Sequence, residues 1–347
     1  MSKFRRVFLR LLSVIVLSGV VVVGPRAEVF VAKTHTFSWF EKKRIHVKAR
    51  NVSSVIIPVS EPTRIHVTVD VLNAVYDDLN VWICDESAFL LFMTRQTNNC
   101  RGIQRGRKRI QFVHEARVRG PHRIVLDNTF SRILTKKAVL SVRLEKQLSD
   151  AEHQKWVDGL NVFLENIKQK FKVPEFDFAL RSCGTSNAFS DTRRGHITLC
   201  SELVFGLMRR NLTGAIEAIF FHELGHTLLN LWGLPNWDNE ESVDEFAIVM
   251  LLWQGRQEKA IDWIRYYGTR DSGAEASQIL RDGDRHPLSI QRARNIERIL
   301  RTPKPVVSRW NKLLYPHLTD AGLKGLIDNP GRFHERDKLK AELKRRL

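Results

Sequence analysis

Between residues 29 and about 146 the apolar positions come in short β-branched or aromatic runs, none long enough for a helix. Val52–Ile57, Arg64–Val71, Val81–Cys84, Phe89–Met93, Arg109–Val113, His122–Asp127 and Ala138–Leu144 are separated by Pro, Asn-Asn, Gly and Asp-Asn punctuation. Seven such runs at close spacing predict an all-β sandwich over residues 28–147. At Ser149 the period changes. Ser149 and Glu152 form a capping-box pattern, and Trp156, Leu160, Phe163, Ile167 and Phe171 then recur at helical spacing up to Pro174. Two strand-like runs follow, Phe176–Leu180 and His196–Cys200, and the remainder reads as helical. The expected class is α+β: an N-terminal all-β sandwich, then a mainly helical domain over 148–331 and a charged C-terminal tail over 332–347. No internal repeat or low-complexity segment interrupts this order.

The N-terminus has its own pattern. A basic start (Lys3, Arg5, Arg6, Arg10) leads into Leu11–Gly24, which carries no charge. Its length suits a signal-peptide core better than a full span of about 20 residues. Residues 1–27 are therefore expected to be a signal peptide or, because Pro25 makes a poor cleavage site at Ala27, an uncleaved signal anchor. Either places the rest outside the inner membrane, periplasmic and soluble or tethered. Export gives the four cysteines meaning. Each of the pairs Cys84–Cys100 and Cys183–Cys200 is local, and of the three possible connectivities this sequential one is expected.

Composition changes the picture little. The chain has 347 residues, 43% hydrophobic and 27% charged, which excludes wholesale disorder and a small disulfide scaffold. The formal charge of +18, densest at Arg101–Arg109, invites nucleic acid, but export makes an anionic membrane or envelope surface the better partner.

The candidate chemistry lies in Ile216–Asn230. His222 and His226 are four apart, so on a helix both imidazoles face one metal ion, with Glu223 beside them. This is the H-E-x-x-H arrangement of zinc peptidases, with the glutamate as general base. A catalytic zinc takes a third protein ligand, and Glu240 is the expected one, with Glu241 as its rival. Asp244, one turn past Glu240, could accept the outer N–H of a ligand histidine. Gly233-Leu-Pro-Asn would reverse the chain between the two helices.

The run His222-Glu-Leu-Gly-His226 followed by Glu240-x-x-x-Asp244 resembles gluzincins. With Leu234-Pro, Cys183-Gly-Thr-Ser-Asn-Ala-Phe, Ile197–Cys200 and His286-Pro-Leu-Ser-Ile-Gln-Arg, it is similar to a bacterial metallopeptidase family called "domain of unknown function 4344", over roughly residues 150–300. More distantly it resembles prenyl-protein protease and HtpX-like gluzincins, which share Asn-Ala-Phe, E-x-x-x-D and His-Pro. That resemblance implies that Asn187, Ala188 and Phe189 bind substrate backbone on a strand edge. It also implies that His286 and Arg292 stabilise an oxyanion. The chain lacks the multiple membrane spans of those proteases, which puts prenylated or intramembrane substrates in doubt. Gly120–Arg132 with Lys136–Val142 looks like the last strands of GOLD-type sandwiches.

These patterns lead to a zinc metalloendopeptidase holding one Zn2+ per chain through His222, His226 and Glu240, acting on peptide or protein substrates. The alternative is an inactive, zinc-stabilised envelope adaptor that binds through its sandwich. Against it stands Glu223, for which a structural zinc has no use.

Overall fold

A computed structural model describes residues 29–72, 79–94, 100, 108–173, 175–269 and 288–346. The expected leader, His286 and most of the Arg101–Arg109 run lie outside these described residues. The chain divides into two compact units: Thr34–Leu148, and Ser149 onward together with the described residues before Thr34.

The first unit is built from two antiparallel sheets. Strands β2 (Thr34–Val47), β8 (Lys136–Gln147), β4 (Thr63–Val71) and β6 (Arg109–Ala116) form one, in that order. Strands β3 (Val52–Val59), β7 (Gly120–Asp127) and β5 (Asn80–Asp85) form the other. In β4 every second side chain, from Ile65 to Val71, turns into a shared core with Ile57, Ile83, Ile124, Leu126, Leu140 and Val142. Strict alternation of this kind fixes register, because a one-residue slip would put that whole set into water.

Two elements depart from the sequence reading. Phe89–Met93 is not a strand but part of helix α1 (Glu86–Met93), capped by the Asp85 carboxylate accepting from the Ala88 amide at 2.8 Å. Helix α1 covers the outer face of β5 and β7 over a small core of Trp82, Ala88 and Val125, stapled by Cys84–Cys100. The long strand β2 is the missing seventh strand; its register against β8 shifts twice, between Ser38 and Lys43.

The second unit begins earlier than residue 148. Strand β1 (Val29–Val31) pairs in parallel with β9 (Asp177–Arg181), so it belongs to a sheet ordered β1-β9-β11-β10 and not to the sandwich. Here β11 (His196–Cys200) runs parallel to β9, and β10 (Ala188–Asp191) is the antiparallel edge strand. Helix α2 (Asp150–Lys170) starts at the full Ser149/Glu152 capping box, and its His153 holds the Val31 carbonyl at 2.8 Å. The Cys183–Cys200 disulfide closes the loop between β9 and β11. Helices α3 (Ser201–Arg209), α4 (Thr213–Leu231), α5 (Glu240–Trp253), α6 (Gln257–Gly268) and α7 (Ser289–Arg301) follow, then α8 (Pro303–Leu314), α9 (Asp320–Asp328) and α10 (Arg336–Arg346). The charged tail is docked through α10. Leu339 is fully buried and Arg346 donates to the carbonyls of Tyr315, Pro316 and Leu318. Among the described residues no helix is long and apolar enough to cross a membrane.

Candidate metal centre

Helix α4 is apolar on nearly every face, with Ala215, Ala218, Leu224 and Leu228 fully buried. A helix buried all round tolerates His222, Glu223 and His226 only if each has a partner or a metal. Its first turn lacks a local cap, and Asp262 of α6 supplies one by accepting from the Gly214 amide at 3.0 Å. Its last turn ends in a Schellman motif: Gly233 is left-handed (φ 65°), its amide meets the Asn230 carbonyl, and the Leu234 amide meets the Leu229 carbonyl at 2.8 Å. The turn then delivers Asn239, whose side chain accepts from the Ser242 amide at 2.9 Å and starts α5.

The reversal lays α5 against α4 at Gly225. A Cβ there would stand 3.0 Å from Phe246 Cδ1 and 3.3 Å from Val243 Cβ. The glycine inside the H-E-x-x-H run is thus what lets the two helices approach.

That approach brings Glu240 to both histidines. Glu240 Oε2 is 3.2 Å from His222 Nε2, and Oε1 is 3.4 Å from His226 Nε2. The outer nitrogens are also engaged. His222 Nδ1 lies 2.8 Å from Asp244 Oδ1, and His226 Nδ1 donates to the Trp237 carbonyl at 2.6 Å. With the protons on Nδ1, both Nε2 lone pairs face the Glu240 carboxylate. Acceptors facing acceptors at these distances need a cation between them, either a proton or a metal.

A proton could fill that place. Burial and Arg292 push the His222 imidazole down, but the hydrogen bonds to Asp244 and Glu240 outweigh them and raise it to about 9. Burial would raise the Glu240 carboxyl, yet its two histidine partners hold it far below the usual carboxylate range. A metal ion would take the proton's place. The three ligating atoms lie within 4.8 Å of one another. Four ligands at zinc's usual bond length are separated by roughly 3.3–3.4 Å along each tetrahedral edge. The two histidine–carboxylate separations already have that size, and two imidazoles with one carboxylate are a zinc donor set.

Around the donors stands a second layer. Arg292 of α7 reaches Asp244 through Nε at 2.8 Å and Nη2 at 2.6 Å, and Glu240 through Nη1 at 3.2 Å. Its guanidinium lies over the Tyr267 ring, 4.9 Å from the centroid. Burial tends to raise the Asp244 carboxyl, but Arg292 and His222 keep it low, so it stays ionised. Glu223, next to His222 on the helix, is buried and its carboxyl is raised by desolvation, despite the nearby histidines.

Glu240 stands with the histidines, whereas Glu241 is exposed and pairs with Arg298 at 3.2 Å. Asp244 takes the His222 N–H. Arg292 is committed to two carboxylates, so its guanidinium holds the donor set rather than standing free to meet an oxyanion. Asn187 and Phe189 are exposed and Ala188 is buried, on or beside edge strand β10. That strand is tied to α4 by a Ser190–Thr227 hydroxyl pair at 2.7 Å and by Asn230 donating to the Thr192 carbonyl at 3.0 Å. Sequence reasoning missed Gly225, the Trp237 carbonyl and Tyr267; of these only the glycine carried a signal, as a helix-interior glycine.

Residues 142–300 match the family described as "Putative metallopeptidase", domain of unknown function 4344. A comparison with curated proteins finds no match. Among solved structures, the periplasmic g-type lysozyme inhibitor PliG of Aeromonas hydrophila is similar at 12% identity and a TM-score of 0.23, over 34% of this chain and 97% of that one. The pre-peptidase C-terminal domain of a Bacillus anthracis collagenase is similar at 15% identity and a TM-score of 0.21, over 35% of this chain and 99% of that one.

Proposed function

We propose that the protein is a zinc-dependent metalloendopeptidase of exported or envelope proteins. The observation that carries this reading is the convergence of two Nδ1-anchored imidazoles and one carboxylate, with Glu223 buried beside them. His222, His226 and Glu240 would hold one zinc per chain. When bound, the ion supplies Lewis acidity, which brings the pKa of water toward neutrality and polarises a peptide carbonyl. Glu223 takes the water's proton on its carboxylate and passes it to the leaving amine; desolvation, which raises its carboxyl, makes it a stronger base for that proton than an exposed glutamate. Asp244 keeps His222 in the tautomer with Nε2 free, and Arg292 keeps Asp244 ionised. Edge strand β10 offers unpaired backbone groups to an extended substrate, with exposed Phe189 available to its side chains. Two disulfides and no free cysteine support an oxidising compartment.

The test joins metal content to turnover. The protein should carry about one zinc, lost in His226→Ala. Glu223→Gln should keep the zinc and lose hydrolysis of a fluorogenic peptide library by a factor on the order of a hundred or more. Undiminished turnover in Glu223→Gln would refute the proposed base; zinc bound without any hydrolysis by the parent would favour the adaptor reading.

A further inference from the structure

One end of the sandwich is apolar where it meets water. Ile133 is 86% exposed, Leu72 53%, Phe130 44% and Leu134 43%. Phe130, Ile133 and Leu134 lie on the β7–β8 loop. Leu72 follows the last residue of β4, its amide bonded to the Lys137 carbonyl at 2.8 Å. Single exposed apolar residues are ordinary, but a cluster on one loop end marks an interaction site.

The loop is held in shape. Asn128 is fully buried, and its Nδ2 lies 3.0 Å from the Val47 carbonyl, 3.2 Å from that of Lys48 and 2.8 Å from that of Leu134. Ser131 Oγ accepts from the Leu134 amide at 3.2 Å. The neighbouring β2–β3 turn is pinned to it through the Arg50 amide, which meets the carbonyls of Asn128 (3.1 Å) and Ser131 (3.0 Å). Arg50 adopts φ 56°, a left-handed conformation usually left to Gly or Asn. The framework therefore exposes Ile133 by construction and places an arginine where a smaller residue would be less strained.

Charge identifies the occupant. Residues 47–52 and 128–137 carry the exposed cations Lys48, Arg50 and Arg132 and no acid. Among the described residues, Lys48, Arg50 and Arg132 have no carboxylate partner. The acids on adjoining strands are engaged: Asp70 by Arg109, and Asp127 by Asn80 and the Thr129 amide. An apolar apex rimmed by Lys48, Arg50 and Arg132 matches a bilayer, where acyl chains lie beneath anionic headgroups. We propose that this end of the sandwich docks on anionic membranes, with Ile133, Phe130 and Leu134 inserted among the lipids and Arg50 and Arg132 at the phosphates. This assignment stands apart from the metal centre and does not rest on the proposed activity.

The test places an environment-sensitive fluorophore on the full-length oxidised chain, in which no described cysteine is free. One probe sits at Ile133→Cys and a control at Glu61→Cys, in the β3–β4 turn at the other end of the same strands. Phosphatidylcholine vesicles containing phosphatidylserine should blue-shift and brighten the probe at position 133 and leave the probe at 61 unchanged. Adding Arg50→Asn, which tolerates the left-handed backbone, and Arg132→Ser should raise the lipid needed for half-maximal signal about 25-fold, at roughly fivefold per cation. No response at position 133 would overturn the proposal and leave an acidic protein partner as the occupant. An equal response at position 61, a response undiminished without phosphatidylserine, or an unchanged midpoint in the double variant would overturn it as well.

Discussion

Gly225→Ala tests whether the approach of α4 and α5 is what assembles the donor set. The added Cβ would meet Phe246 Cδ1 at 3.0 Å and Val243 Cβ at 3.3 Å, against ordinary carbon–carbon contacts of roughly 3.5–4.0 Å. Phe246 cannot swing aside, because it is fully buried and its ring sits edge-on to Trp310 at 5.8 Å. Helix α5 must therefore withdraw by about 0.5 Å, and it carries both Glu240 and Asp244. The Glu240–histidine separations of 3.2 and 3.4 Å would then open past a tetrahedral edge. Misplacement on this scale should weaken zinc binding tenfold or more, about 1.4 kcal/mol. Stability should change less. Overpacking costs about 1–3 kcal/mol, while alanine in a helix interior recovers about 1 kcal/mol over glycine. The assay is zinc competition against a chromogenic chelator, run beside thermal melting of the metal-free protein. Adding Phe246→Leu to Gly225→Ala should open the nearest contact and restore part of the affinity. Parental zinc affinity in Gly225→Ala would refute the argument that this glycine sets the donor spacing.

Other expectations follow from the same contacts. Glu240→Ala should abolish stoichiometric zinc binding and Glu241→Ala should leave it intact, since Glu241 is exposed and paired with Arg298; the reverse result would move the third ligand by one residue. Reduction should lower the melting temperature and raise titratable thiols from none to four, with about 3 kcal/mol at stake for each loop of 16 or 17 residues; four thiols in the untreated protein would exclude both bridges. Burial, with Lys170 adding to it, lowers the His334 imidazole from 6.5 to about 4, and its Nε2 has no partner among the described residues. The unfolded chain therefore binds a proton between these values that the folded chain refuses. Stability should be intact above pH 6.5 and fall as pH drops toward 4, by ~3 kcal/mol at most. His334→Phe, which keeps an aromatic ring against Trp253, should flatten that part of a denaturation-versus-pH series; an unchanged slope would assign it to other groups.

How much of this was legible in the sequence depends on the range over which each feature is encoded. The two imidazoles and Glu223 are set by helical spacing alone, so residue order was sufficient. The strands of β4 and β8 alternate cleanly and were equally readable. Strand β2 was not, because irregular register between Ser38 and Lys43 breaks its alternation: Phe37 and Trp39 share one phase, and Phe40 falls in the other. Helix α1 was read as a strand because its apolar run, Phe89–Met93, outweighed the Asp85 cap that starts it.

The group that holds the donors lies further from local pattern still. Arg292 meets Asp244 across 48 residues, and nothing near either one announces the pairing. Gly225 is required by Val243 and Phe246, side chains of the next helix. Motif and fold therefore make separable claims about one site. Losing His226 or Glu240 removes a ligand and tests the motif. Gly225→Ala leaves every ligand in place and moves only the helix that carries one of them. A protein whose zinc affinity falls in both cases has a metal centre built by the packing of α4 on α5, and not merely by the presence of its three donors.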